Sequence, residues 1–199
     1  MGSKSRLEAY SDGIFAIAAT LLVLDLAVPR VAGGHLLEGL LGQWPAYAAY
    51  ATSFLTIGII WVNHHAVLER LDHIDREFMF LNLFLLLTVA LIPFPTKVLA
   101  QYLQSKNWDA NIAAAAYGVE MMVMGIAFSV LTYYAAARGL MKVRLSFWQQ
   151  LRFSIGLVMY LIGTLASLRD ARFGLVIYAG LALYYVVEPL IPRDASAEA

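Results

Sequence analysis

The chain has 199 residues, of which 61% are hydrophobic and only 14% charged, far from the balance of a water-soluble domain. Its 14 basic and 14 acidic residues cancel, so no net field favours nucleic acid or an anionic partner. The absence of cysteine excludes disulfides, thiolate metal sites and a thiol nucleophile.

Crossing roughly 30 Å of hydrocarbon takes about 20 apolar residues in a helix. Six segments meet or approach that length, at about 7–28, 40–62, 78–102, 110–137, 153–168 and 173–187. The first follows Arg6 and carries Ser11 and Asp12 at its start, the second is uncharged throughout, and the third is interrupted by Pro93, Pro95 and Lys97. The fourth holds Glu120, whose partner the sequence leaves open between Lys97, a cavity and a neighbouring subunit. The fifth and sixth are short and joined only by Arg169, Asp170, Ala171 and Arg172. No soluble insert, low-complexity block or internal repeat interrupts residues 1–199, and the longest polar connection is 138–150. The pattern predicts an all-α, polytopic membrane protein forming one domain of six transmembrane helices.

With six crossings, Lys4, Arg6, Arg70, Arg76, Arg138, Lys142, Arg144, Arg152 and Arg193 fall on the side of the N-terminus. Arg30, Lys106, Arg169 and Arg172 fall opposite, with Lys97 near that end. The excess places both termini in the cytoplasm. A cleavable signal peptide is a weak reading, because small residues such as Ala16 and Ala18 fall inside the first apolar run rather than after it. N-myristoylation is also disfavoured, since Arg6 stands where that pattern needs Ser or Thr.

At 100° per residue, Ile17, Leu21, Leu24 and Val28 form one apolar stripe on the first helix, with Thr20 at its margin. Asp12 points nearly the opposite way, with Phe15 and Ala19 above it, which suits packing against another helix. Arg6 and Asp12 begin the first span, Trp61, Asn63, His64 and His65 end the second, and Asn82 begins the third. All sit at one membrane level. Ionisable groups at the edge of hydrocarbon need partners, so an Arg–Asp–His–Asn network locking three helices is expected. The plainer reading lets Arg6, His64 and His65 reach the headgroups singly. A metal site from Asp12, His64 and His65 is disfavoured, because adjacent histidines project about 100° apart on a helix.

Arg6-Leu-Glu-Ala-Tyr-Ser-Asp12 resembles the RxxxFSD signature of the transmembrane protein 175 family, endosomal and lysosomal potassium channels with prokaryotic homologues. The similarity continues through Gly13 to Asp25, through Ile57-Gly-Ile-Ile-Trp-Val-Asn-His-His65 and through Leu81 to Thr96, with Tyr10 in place of the signature Phe. The last three spans carry only matching hydropathy. The resemblance implies a prokaryotic cell-membrane homotetramer of a single six-helix repeat, whose first helix lines a central potassium-permeable pore. It places a hydrophobic constriction on Ile17, Leu21 and Leu24, with Thr20 beside them. Permeant potassium is then the only ion required, with no cofactor or resident metal, and the partners are other copies of the chain and membrane lipids, not nucleic acid.

Asp25, at the far end of that helix, is read either as part of a cation-concentrating pore mouth or as a solvated helix end. Arg6, Tyr10, Ser11 and Asp12, together with Trp61, Asn63, His64, His65 and Asn82, are read as a clamp that positions the pore helix. A proton-coupled secondary transporter using Asp12, Glu120 or the histidines is the competing class. An enzyme is not expected, because no catalytic spacing such as HExxH or GxSxG occurs.

Overall fold

The computed structural model describes residues 4–31, 33–105, 107–142 and 147–187, with side chains for all of these except 147–154. Of the cations used above to orient the chain, Lys106, Arg144 and Arg193 lie outside the described residues, as does the side chain of Arg152. So do the first three residues, on which the N-myristoylation reading bears.

The described residues form eight α-helices: α1 (Lys4–Leu21), α2 (Leu36–Gly42), α3 (Trp44–Glu69), α4 (Arg76–Leu91), α5 (Pro93–Tyr102), α6 (Trp108–Ala137), α7 (Phe147–Ser167) and α8 (Ala171–Val187). A 3-10 turn, Leu22–Asp25, continues α1. Among the described residues, four stretches are long and apolar enough to cross a membrane: Lys4–Asp25, Trp44–Glu69, Arg76–Tyr102 and Trp108–Ala137. Ile155–Ser167 and Ala171–Val187 are apolar but shorter.

Local chemistry sets the boundaries. Pro45 occupies the first turn of α3, where its missing N–H costs nothing, so the apolar run expected at 40–62 divides into α2 and a longer α3 that extends to Glu69. Asp75 caps α4 by accepting from the Phe78 N–H at 2.7 Å. The third span breaks at Ile92 into α4 and α5, because Pro93 and Pro95 supply no N–H, and the Thr96 hydroxyl turns back to the Ile92 carbonyl at 2.7 Å. At the end of α6, Gly139 takes φ +69°. Leu140 N–H then reaches the Ala135 carbonyl at 2.9 Å and Gly139 N–H that of Ala136 at 3.3 Å, the paired bonds of a Schellman stop. α7 starts within the connection expected at 138–150, part of which (143–146) lies outside the described residues.

α6 is the hub, packing on α4, α5, α7 and α8, while α3 packs on α1, α5 and α8. Hydroxyls within this bundle bond to one another and to backbone carbonyls. Ser53 Oγ lies 2.8 Å from Thr96 Oγ1 and donates to the Tyr117 hydroxyl at 3.1 Å, and Tyr178 donates to the Ala114 carbonyl at 3.2 Å. A second set of bonds joins the loop ends at the N-terminal side of α1. There Asp72 N–H meets the Leu140 carbonyl at 2.9 Å and Lys142 N–H the Arg70 carbonyl at 2.8 Å, around an isolated bridge between Leu71 and Met141.

Candidate functional site

α1 has two faces. Leu7, Ser11, Phe15 and Ala18, spaced 4, 4 and 3 residues apart, are buried where α1 packs on α3 and α4, and Leu22, four residues on, is buried where the 3-10 turn packs on α3 and α5. On the other face Ile17 is 61% exposed, Leu21 43% and Leu24 74%. The regular α-helix stops at Leu21, short of the expected Val28. The 3-10 turn nevertheless keeps the stripe aligned through Leu24, since residues three apart eclipse in that geometry. Val28 is exposed but lies beyond the helix. Thr20, also exposed, shares its hydroxyl proton between the Ala16 and Ile17 carbonyls at 3.0 and 2.9 Å, which leaves its oxygen lone pairs as the outward-facing acceptor.

Behind this face a directed chain of hydrogen bonds runs through three helices. His64 Nε2 lies 2.7 Å from Asn82 Oδ1 and donates to it. Asn82 Nδ2 donates to Ser11 Oγ at 3.1 Å, and Ser11 donates to the Leu7 carbonyl at 2.9 Å. Ser11, His64 and Asn82 are all buried, and each makes bonds of the polarity its atoms require. The His64 ring also packs against Phe15, with centroids 5.3 Å apart. Asn63 is buried and donates to the Ile59 carbonyl at 2.7 Å.

Asp12 belongs to a separate, more open group. It accepts from Trp61 Nε1 at 2.9 Å at the end of a groove of about 510 Å³ between α1 and α3, lined also by Phe15, Ala19, Phe54 and Gly58. His65 diverges from His64 and faces Glu8 and Glu69. The single Arg–Asp–His–Asn cluster expected from sequence is thus two clusters, and Arg6 joins neither. Its side chain is exposed, and the carboxylate of Asp12 is held by Trp61 instead. Tyr10 is likewise exposed, at 54%.

At the far end of the span Asp25 is 13% exposed and pairs with Lys97 of α5 at 3.2 Å. This pairing neutralises the carboxylate considered above for a pore mouth. It also takes Lys97 away from Glu120, whose Oε1 is buried and has no hydrogen-bond partner among the described residues. Sequence reasoning passed over Glu8 and Glu69, although the i, i+4 spacing of His65 and Glu69 was available as a signal. It also passed over the Asp25–Lys97 pair, which joins residues 72 positions apart and left no local trace.

The fold and this site define an integral membrane protein whose first helix packs one face into the bundle and leaves an apolar stripe exposed. Residues 6–93 match the family described as endosomal/lysosomal potassium channel TMEM175. A potassium channel of Streptomyces collinus is 42% identical over 205 residues, covering 99% of each chain. A crystal structure described as a lysosomal potassium-selective channel TMEM175 homolog from Chamaesiphon minutus superposes with a TM-score of 0.84 at 34% identity, covering 94% of this chain and 97% of the other. The Gallus gallus protein named endosomal/lysosomal proton channel TMEM175 is 36% identical over 114 residues, covering 53% of this chain and 23% of that protein. The chain belongs to the TMEM175 family, an ion-channel family and not a family of enzymes.

Proposed function

We propose that the chain is a potassium-permeable cation channel of a prokaryotic cell membrane. Four copies assemble around an axis lined by α1, each copy crossing the membrane six times with both termini in the cytoplasm. The observation that carries this reading is the exposed stripe of Ile17, Leu21 and Leu24, opposite a fully packed face of the same helix. Lipid contact is the default for such a stripe. Two further observations favour a pore. The most apolar window of the first span is 28% buried in the protomer, against 44% in the other three long spans, so α1 is the helix left for partners. The two prokaryotic relatives, aligned over nearly their whole lengths, are described as potassium channels.

Three rings of branched side chains, at Ile17, Leu21 and Leu24, form a constriction that an ion passes only after losing water, which gates by dewetting. Thr20, presenting lone pairs beside the rings, offers a partial replacement for that water. The clamp residues hold α1 in place without entering the ion path. Planar-bilayer recording of the purified protein in asymmetric potassium and sodium solutions tests the reading. Unitary currents reversing toward the potassium potential are expected. Saturable, proton-coupled uptake in liposomes without unitary steps would establish the transporter instead.

A further inference from the structure

We propose that Glu8, His65 and Glu69 form a proton-binding site that latches the N-terminal half of α1 to α3 and thereby regulates the pore helix from the N-terminal side of the membrane. His65 Nδ1 lies 3.0 Å from Glu8 Oε1 and Nε2 lies 3.3 Å from Glu69 Oε1, so both ring nitrogens face carboxylate oxygens. A neutral imidazole has one N–H and one lone pair, whereas the imidazolium presents an N–H on both sides. The proton that completes the ring makes it a cation held between two carboxylates at ion-pair distances. Its departure sets a nitrogen lone pair against a carboxylate oxygen.

The site grips α1 in register. Glu8 and Asp12 are one helical turn apart on α1, and Trp61 and His65 are one turn apart on α3. Glu8 meets His65 while Asp12 accepts from Trp61 at 2.9 Å, and the Trp61 and His65 rings stack with centroids 6.3 Å apart. The proton therefore acts on one rung of a two-rung ladder, and the other rung leans on the same imidazole. Glu8 lies nine residues before Ile17, about 14 Å along the helix, so a tilt of the latched end is carried rigidly to the apolar stripe.

Among the other charged groups on elements packed against α3, the Lys4 ammonium lies beside this site and the Arg6 side chain is exposed. His64 turns to Asn82 of α4. Lys4 of α1 donates to the Glu69 and Leu71 carbonyls, both at 3.2 Å. Asp25 of the 3-10 turn and Lys97 of α5 pair with each other at the far end, where Glu38 of α2 meets His35. Arg172, near the start of α8, is also at that end, its N–H on Asp170. Glu8, His65 and Glu69 are 28%, 37% and 62% exposed, which gives water on the N-terminal side direct access to the proton.

The conduction readout rests on the channel reading, and the distance readout does not. Because the chain lacks cysteine, Ala9→Cys and Val62→Cys, both at exposed positions, place one spin label on each helix of a spin-diluted tetramer or of the monomer. Raising pH from about 5 to 8 is expected to broaden or lengthen the α1–α3 distance distribution. His65→Gln and Glu8→Gln are expected to abolish that response. In bilayers, pH on the N-terminal side is expected to change wild-type open probability about two- to fivefold, as for a partly exposed ion pair, and each variant to flatten the change. If His65→Gln does not assemble, Glu8→Gln carries the comparison. A distance response retained in both variants, or none in the wild type, overturns the proposal. If the distances respond as stated but no preparation conducts, the latch stands and the channel reading fails.

Discussion

At the residue scale, the buried chain through His64, Asn82 and Ser11 has little tolerance, because every member relies on its neighbour and no water replaces a lost bond. Asn82→Leu leaves the His64 N–H without its acceptor and Ser11 without its donor, at about 1–3 kcal/mol for each stranded group. A lower melting temperature in detergent is expected, and a variant that melts with the wild type would show that the chain does not hold the helices. Arg6→Ala is expected to leave monomer stability nearly unchanged, since Arg6 is exposed and Asp12 is held by Trp61. If Arg6→Ala instead dissociates the oligomer, Arg6 acts between subunits. Gly118 gives a steric test. A Cβ there would collide with the Tyr178 hydroxyl and Thr164 Oγ1, whereas one at Gly180 meets nothing within 4 Å. Gly118→Ala should cost about 1–3 kcal/mol by overpacking. Gly180→Ala should be neutral or stabilising by up to about 1 kcal/mol. Equal melting temperatures for the two variants would contradict the packing of α8 on α6.

At the element scale, Asp75 joins the start of α4 to the end of α6. It caps the Phe78 N–H and accepts from the Tyr134 hydroxyl at 2.8 Å. Burial by itself raises the Asp75 carboxyl, but the Phe78 N–H, the Tyr134 hydroxyl and the Arg138 charge outweigh it and hold the group below the ordinary carboxylate value. A carboxyl lowered in the folded state stabilises the fold fully above its ordinary value, and this contribution is lost as pH falls through the lowered one. Asp75→Asn should therefore destabilise the protein at neutral pH, with the gap to wild type closing only in acid. Melting temperatures of both proteins across pH check this, and a gap that does not depend on pH would assign the loss to cap geometry alone. The Asn variant separates charge from shape, while Asp75→Ala, which also removes the cap, should cost about 1 kcal/mol. Much at this scale was legible in advance. Pro93 and Pro95 announced the break in the third span because a missing N–H acts locally. The division of 40–62 into α2 and α3 was missed, because hydropathy averages over Pro45 and its single backbone donor.

At the scale of the whole molecule, the exposed apolar stripe of α1 is the feature on which the pore reading turns. If it lines a pore, Ile17→Asn should wet the constriction, raise unitary conductance and lower potassium preference. Leu24→Asn, on the same face, should act in the same direction and more weakly where the pore widens. Ala18→Asn is the control. Ala18 is 1% exposed against the neighbouring helices, so the larger polar side chain should damage folding or assembly rather than alter permeation. Reversal potentials and unitary currents of assembled variants decide the matter. Unchanged permeation at both 17 and 24 would assign the stripe to lipid or protein contact.

Sequence by itself determined the environment, the all-helical class, the six apolar segments, of which four contain stretches long enough to span, and the stripe on α1 as far as Leu24. Each follows from composition or from a 3.6-residue period, and both are properties of contiguous residues. It also singled out Ser11, His64 and Asn82, because polar groups in apolar helices must be satisfied somewhere. What it did not determine was how those groups pair. Asp12 takes Trp61 rather than Arg6, His65 takes Glu8 and Glu69, and Lys97 takes Asp25 rather than Glu120. These choices depend on the rotation and depth of one helix against another, which are set by the packing of faces such as Leu7, Phe15 and Ala18 on α3 and α4. Only the tertiary structure holds that information, because hydrogen bonds and ion pairs are decided over a few ångströms, whereas the apolar pattern fixes a helix face only to within tens of degrees.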